Sequence, residues 1–328
     1  MMLKHSCKIG ATMANGNHNG KELETFSDLR KDMFGRRVVL TSSRGSRPHD
    51  FTPPERKPKS GDSSKCFFCP GNEHLTPPEL DRVEKDGKWE VRCFPNKFPA
   101  FFPESKKAYG RHEVIVASPE HTKELSELSE DNIYDYLCLL QRRMRAAMQD
   151  SRLKYTVIFK NEGPAAGASL EHTHTQLVSM EFVPAIVAKM ARKTAAFAKL
   201  ERQNKKRTFL QTPHYFAFCP KASRFKHEFW IMPRFQASSL VDLEENQLRG
   251  LASIMKSSLS ALDAVSGFGP YNIVYHSAPH GESKFPFHIE VLPRLSTWAG
   301  FELGTEVVMV STRPHESAGV LRYFIEKK

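Results

Sequence analysis

Arg111-His112-Glu113-Val114-Ile115-Val116-Ala117-Ser118-Pro119 and Lys226-His227-Glu228-Phe229-Trp230-Ile231-Met232-Pro233 are two versions of one segment, lying about 115 residues apart. Each reads as a strand that runs from charged to apolar and ends at a proline turn. The segments downstream of the two copies are also alike. Leu128-Ser129-Glu130-Asp131-Asn132 opens an amphipathic helix over Ile133 to Met148, and Leu243-Glu244-Glu245-Asn246-Gln247 opens another over Leu248 to Leu262. Ser129 and the acidic first turns are helix-start signals. Tyr155-Thr156-Val157-Ile158-Phe159 and Tyr271-Asn272-Ile273-Val274-Tyr275 are rich enough in β-branched and aromatic residues to be strands, and a further pair, His172 to Val178 and His288 to Leu292, closes each unit. A repeat of this kind predicts two related α+β halves, each a mainly antiparallel sheet with helices packed on it. At the repeat offset His172 falls opposite His288, and His174 opposite Glu290.

The boundaries come from this pattern: a disordered tail over 1–25, a first half over 26–190, a basic linker helix over 191–208 and a second half over 209–328. With 328 residues the chain is long enough for two cores, and 40% hydrophobic residues is ordinary globular composition. No apolar run is long enough for a membrane span. The tail before Glu22 lacks the apolar block of a secretory signal. Six cysteines in a chain of this size do not make a disulfide scaffold, so a reducing, cytoplasmic compartment is expected. The net charge of +11 comes partly from Lys189 to Arg207, where eight Lys or Arg face Glu201 alone. A solvated helix face accounts for that run, and no nucleic-acid-binding signature accompanies it, so the expected partners are small phosphorylated molecules rather than nucleic acid.

The chemistry is concentrated in Phe159-Lys160-Asn161-Glu162-Gly163-Pro164-Ala165-Ala166-Gly167-Ala168-Ser169-Leu170-Glu171-His172-Thr173-His174-Thr175-Gln176. Period-two spacing puts His172, His174 and Gln176 on one strand face. The small residues before them suit a loop whose backbone N–H groups approach an anion. A histidine near neutral pH is largely an unprotonated nucleophile, and attack by it splits one displacement at phosphorus into two. Gln176 can donate to a phosphoryl oxygen as charge develops there. Upstream, Cys66-Phe67-Phe68-Cys69 before Pro70-Gly71 is a knuckle that brings two thiols within reach of one metal, although structural zinc needs four ligands.

On these residues the chain resembles the galactose-1-phosphate uridylyltransferase family of the histidine-triad superfamily. His-X-His-X-Gln after an Asn-X-Gly-X-Ala-Ala-Gly-Ala-Ser loop is that family's signature, and the likeness extends from about Leu29 to Arg313. The resemblance implies that His174 is the nucleophile that takes a nucleoside monophosphate and Gln176 its phosphoryl contact. It further implies that Asn161, Gly167 and Ser169 contact phosphate or nucleotide, and that one structural zinc is held by Cys66, Cys69, His121 and His172. Arg44 and Arg47 match a phosphate clamp, Asn96 a nucleotide contact, and Glu306 a sugar-binding glutamate. A third histidine stands at the Gln176 position in histidine-triad hydrolases, so its absence favours transfer over hydrolysis. A homodimer is implied as well.

The sequence departs from the family at Lys97, where some uridylyltransferases carry an acidic residue, and at Thr305 and Gly300, while Gly300-Phe301-Glu302 looks more like the ADP-glucose phosphorylase branch. Some bacterial members hold a second metal at positions matching His276 and His288. Here Glu290 replaces a third histidine and Met190 lies near the expected carboxylate, so a hydrogen-bonded cluster is expected there. The implied activity is ping-pong transfer of a nucleoside monophosphate from a nucleotide sugar to a sugar 1-phosphate, with UDP-hexose slightly ahead of ADP-glucose as donor. The alternatives are an ADP-glucose or dinucleoside polyphosphate phosphorylase, with inorganic phosphate as acceptor, and a non-enzymatic nucleotide-binding protein.

Overall fold

The computed structural model describes residues 27–42, 63–197 and 199–327. The tail expected over 1–25 and the proposed clamp residues Arg44 and Arg47 lie outside them. The described chain is α+β. Five strands of the first half, β3 (Asp81–Lys85), β4 (Lys88–Pro95), β5 (Gly110–Val116), β6 (Tyr155–Glu162) and β7 (His174–Met180), form an antiparallel run in the order β3-β4-β5-β7-β6. Five of the second half, β8 (Thr208–Gln211), β9 (Tyr215–Phe218), β10 (Phe229–Pro233), β11 (Tyr271–His276) and β12 (His288–Pro293), repeat that order as β8-β9-β10-β12-β11. The two runs meet edge to edge through antiparallel β6 and β11, making one ten-stranded sheet.

Period-two alternation sorts each strand between two faces. Ile115, Ile158, Leu177, Ile273, Ile289 and Val291 point to one face and pack under helices α1 (Glu130–Met148) and α5 (Glu245–Ser266), which lie against each other. The Ser129 side chain caps α1 by accepting from the Asn132 N–H at 3.0 Å. Gly267, at φ +63°, ends α5 in the left-handed conformation that glycine adopts at low cost. Val114, Gln176, Asn161 and Asn272 lie on the other face, the one that carries the site.

Three features depart from the sequence reading. Strands β1 (Ser27–Lys31) and β2 (Arg37–Thr41) pair with each other, and β2 pairs in parallel with β13 (Val307–Val310), so the start of the described chain is tied to its end. Helix α2 (Ala185–Ala191) is followed by short helical pieces in place of one linker helix: α3 (Thr194–Phe197), α4 (Leu200–Gln203) and a 3-10 turn at Lys205–Arg207. Phe197 and Leu200 turn into the core, and Asn204 stops α4 by donating its side-chain amide back to Leu200 O. The third departure is in register. His174 opens β7 and His288 opens β12, and each Nδ1 donates to the carbonyl two residues before it, at 2.9 and 2.7 Å. Gln176 sits opposite Val114 as Glu290 sits opposite Trp230. The counterpart of His174 is therefore His288, and that of Gln176 is Glu290. The second copy is two residues shorter ahead of β12 than the constant offset that pairs His172 with His288 assumes, and a two-residue slip leaves every side chain on its own face, so the face pattern alone does not reveal the misalignment.

Candidate active site

Backbone groups set the tautomers of the histidines around β7. His172 precedes the strand, and its Nε2–H donates to Ser118 O at 2.8 Å, which leaves Nδ1 with the lone pair. His174 is wired the other way. Its Nδ1–H donates to His172 O at 2.9 Å, so in the neutral ring Nε2 carries the lone pair. With only 7% of its surface exposed, His174 lines a pocket of about 310 Å³ together with Gln176, Ser169, Asn96 and the aromatic walls Phe67, Phe68 and Phe98. An unprotonated ring nitrogen at a partly apolar pocket is the arrangement a nucleophile needs, and the carbonyl on Nδ1–H stabilises the positive charge the ring gains as it attacks.

The strand is held from behind as well. Lys160, buried on the helix-covered face, donates from Nζ to Thr173 Oγ1 at 2.6 Å and to His174 O at 3.4 Å, and pairs with Glu162 at 2.8 Å. Asn272 of β11 donates to Asn161 Oδ1 and to Ala166 O, both at 2.8 Å, so the second half braces the loop before His174. That loop corrects one expectation. The N–H groups of Ala166, Gly167 and Ala168 are used within the turn, on Gly163 O and Pro164 O, so they do not form an open anion cradle. Gly167, at φ +87°, closes this turn, where a side chain would be strained.

Cys66, Cys69, His121 and His172 bring one ligand atom each within 4.8 Å of one another and could hold a metal ion. Cys69 Sγ lies 3.2 Å from His121 Nδ1 and 3.5 Å from His172 Nδ1, and Cys66 Sγ lies 3.5 Å from His172 Nδ1. Burial, then the adjacent Cys66, pushes the Cys69 thiol up to about 12. Phe68, between the two cysteines, sets its ring edge-on to both His172 and His174, with centroids at 6.1 and 5.3 Å. The knuckle thus packs against His174.

Residues 30–184 match the family model described as galactose-1-phosphate uridyl transferase, N-terminal domain. An ADP-glucose phosphorylase of Arabidopsis thaliana is 29% identical over 94% of this chain and 96% of its own length. A galactose-1-phosphate uridylyltransferase of Thermotoga maritima is 26% identical over 82% of this chain and 92% of its own. The crystal structure of an Arabidopsis thaliana ADP-glucose phosphorylase with bound ADP-glucose superposes with a TM-score of 0.81 at 26% identity, covering 90% of this chain and 99% of that one. This chain is a nucleotidyltransferase similar to the galactose-1-phosphate uridylyltransferases.

In this uridylyltransferase-like enzyme the fold brings His174, Gln176, Asn96 and Ser169 to one pocket, with Asn161 on the same face of the neighbouring strand. Glu306 is not among the pocket's lining residues. It is exposed at the C-terminal end of α6 (Gly300–Thr305), beside β13, and the carboxylate buried in that helix is Glu302, which caps the Ala299 N–H at 3.0 Å. Sequence reasoning missed Lys160, Asn272 and His112. All three act through neighbouring strands, and only the period-two face of His112 with Val114, opposite Gln176, gave any signal.

His276, His288 and Glu290 also cluster closely enough to hold a metal. Arg224 donates to Glu290 at 2.6 Å, however, and Arg36 approaches it at 3.5 Å, so cationic side chains already occupy the carboxylate. After the cost of burial, the Arg224 charge beside Glu290 holds its carboxyl well below the usual range. Among the described residues, no helix is long and apolar enough to cross a membrane.

Proposed function

We propose that the enzyme transfers a nucleoside monophosphate from a nucleotide sugar through a covalent nucleotidyl-His174. The observation that carries this reading is the placement of His174: its Nδ1–H is held by His172 O, so that Nε2 is the nucleophilic nitrogen of the neutral ring, and it lines one pocket with Gln176. In the first half-reaction Nε2 attacks the α-phosphorus. The P–N bond forms as the bond to the bridging oxygen breaks, and a sugar 1-phosphate leaves. Gln176 donates its amide N–H to a phosphoryl oxygen, and Nδ1–H holds its proton on His172 O. In the second half-reaction an acceptor phosphate oxygen attacks the same phosphorus and the P–N bond breaks. Asn161 and Ser169 act on the nucleotide side, and Arg44, Arg47 and Glu306 remain the sequence's candidates for the sugar phosphate.

ADP-glucose is the first donor in this reading, with inorganic phosphate as acceptor. The support is the match to an ADP-glucose phosphorylase over nearly the whole of both chains, together with Lys97 at the pocket, where an ammonium can donate to a base or ribose but not accept from it. UDP-glucose with a hexose 1-phosphate is the second reading, supported by the uridylyltransferase matches. Cys66, Cys69, His121 and His172 are proposed to hold one structural zinc. Two thiols and two imidazoles suit that ion, and the S–N separations of 3.2 and 3.5 Å resemble the edges of a tetrahedral site. Bound there, zinc supplies rigidity next to the nucleophile, and the His172 Nε2–H on Ser118 O is the outer contact that orients a ligating ring. A homodimer of two-half chains is part of the same proposal.

The test is to mix the protein with ADP-glucose or UDP-glucose without acceptor, read the adduct by intact mass, and then add phosphate or galactose 1-phosphate. An AMP adduct discharged by phosphate supports the phosphorylase reading. A UMP adduct discharged by galactose 1-phosphate supports the uridylyltransferase reading.

A further inference from the structure

Gln176 can serve a phosphoryl group only if its amide nitrogen, and not its oxygen, faces the pocket. A carboxamide flips easily, so something must fix its direction. The candidate is His112 on β5, half-buried on the same sheet face, two residues before Val114, which pairs with Gln176. One end of the relay is a group that cannot flip. The backbone N–H of Ala100 donates to His112 Nδ1 at 3.2 Å, so this nitrogen carries no proton. In the neutral ring the proton is then on Nε2, which lies 2.8 Å from Gln176 Oε1 and donates to it. Asn96 Nδ2 lies 3.2 Å from His112 Nε2 and 3.5 Å from Gln176 Oε1; with the proton on Nε2 its N–H is directed to the oxygen, and Asn96 is itself oriented by the Phe98 N–H, which donates to its Oδ1 at 2.8 Å. Burial lowers the His112 pKa below the ordinary histidine value, in keeping with a neutral ring.

The geometry points to His112 as a positioning residue: the Ala100 N–H fixes its tautomer, and its Nε2–H engages Gln176 Oε1 so that the Gln176 amide N–H₂ faces the transferred phosphoryl group. The assignment rests on the nucleotidyl-transfer reading for its function, while the tautomer can be measured without it. In the second half, Glu228 occupies the position equivalent to His112, by the same register that aligns Val114 with Trp230 and Gln176 with Glu290. It is bonded to Arg224 at 3.1 Å, so no such relay exists there.

A double-mutant cycle tests the relay. His112→Phe keeps a ring of similar size and removes both nitrogens. In single-turnover nucleotidylation of His174 it is expected to lower the saturating rate by roughly 10–100-fold while donor affinity moves less than about 3-fold, because the lost interaction matters most as charge develops. In a Gln176→Ala background the same substitution is expected to cost less than about 2-fold, since its effect passes through an amide that is no longer present. Fully additive losses, or a wild-type rate in His112→Phe, overturn the relay. If the wild-type protein forms no adduct, the transfer reading fails, and ¹⁵N NMR of the histidine rings still decides the geometry. An Nε2–H tautomer with an unprotonated Nδ1 at neutral pH is expected for His112, and the opposite tautomer overturns the assignment.

Discussion

His174 and His288 occupy the same place in the two halves of one sheet, with the same bond from Nδ1 to the carbonyl two residues back, and their surroundings make them opposites. His174 lines a pocket beside Gln176. His288 is 0% exposed, stacked on His276 at 4.5 Å and covered by Trp230 and Phe197 at 5.0 and 5.2 Å. Burial, then the neighbouring His276, pulls its pKa down to about 3. Where the first half places a neutral amide beside its histidine, the second places Glu290, which is held by two arginines. The local backbone that prepares a nucleophile is thus not sufficient to make one. The two halves differ in the side chain two residues on and in whether the opposing face is open or packed with aromatic rings.

The contrast between the halves is tested most sharply at the two histidines. His174→Ala is expected to abolish adduct formation and lower turnover by at least about 10²–10⁴-fold, the range for losing a positioned catalytic group. His288→Ala is expected to retain the adduct and to lose stability instead, by about 2–4 kcal/mol as a cavity opens under Trp230, read by urea unfolding. Equal losses of turnover in both variants would mean that the halves are not functionally distinct.

The knuckle is next. Plasma emission analysis of purified protein is expected to return one zinc per chain, with none at the second cluster, where Arg224 and Arg36 already serve Glu290. Cys66→Ser is expected to lose that zinc together with thermal stability, because structural metal binding is coupled to folding. Two equivalents of tightly held metal would make the second half a metal centre rather than an ion-pair cluster.

Arg224→Met leaves the Glu228 and Glu290 carboxylates without their shared cation, and an uncompensated buried charge costs about 3–5 kcal/mol. Adding Glu290→Gln is expected to recover part of that loss.

The remaining test is of pH dependence. A histidine whose folded pKa lies below its unfolded value contributes stability that is full above about 6.5 and is lost as pH falls toward about 3. The melting temperature of the wild type is therefore expected to decline through that window, and His288→Phe is expected to flatten the decline. An unchanged slope would contradict the sealed, neutral state assigned to His288.

Much of this arrangement is legible in the sequence. The strand-helix-strand repeat is readable because apolar alternation and the acidic helix starts at Ser129 and Glu244 are local signals. The grouping of Cys66, Cys69, His121 and His172, and the pairing of His174 with Gln176, come from motif resemblance, and the fold does place each set together. The counterpart of His174 is misread because a two-residue slip between the copies keeps the same strand face, so alternation gives no sign of it and a constant offset cannot track it. The Ala166–Ala168 turn reads as an anion cradle because small residues permit both an internal turn and an open loop. Lys160 and Asn272 are invisible because what they brace lies on other segments, His112 shows only through its strand face, and Glu306, a candidate by resemblance, is exposed and does not line the pocket that holds His174.

The most direct test of covalent transfer through His174 is the mass of the intact protein after exposure to ADP-glucose and, separately, to UDP-glucose, with no acceptor present, followed by peptide mapping. The predicted result is gain of a single nucleoside monophosphate, AMP from ADP-glucose in the favoured reading, attached to His174 and absent from His174→Ala. A label on His288, or one that persists in His174→Ala, would contradict the mechanism, as would a wild-type protein that turns over either donor while no adduct forms.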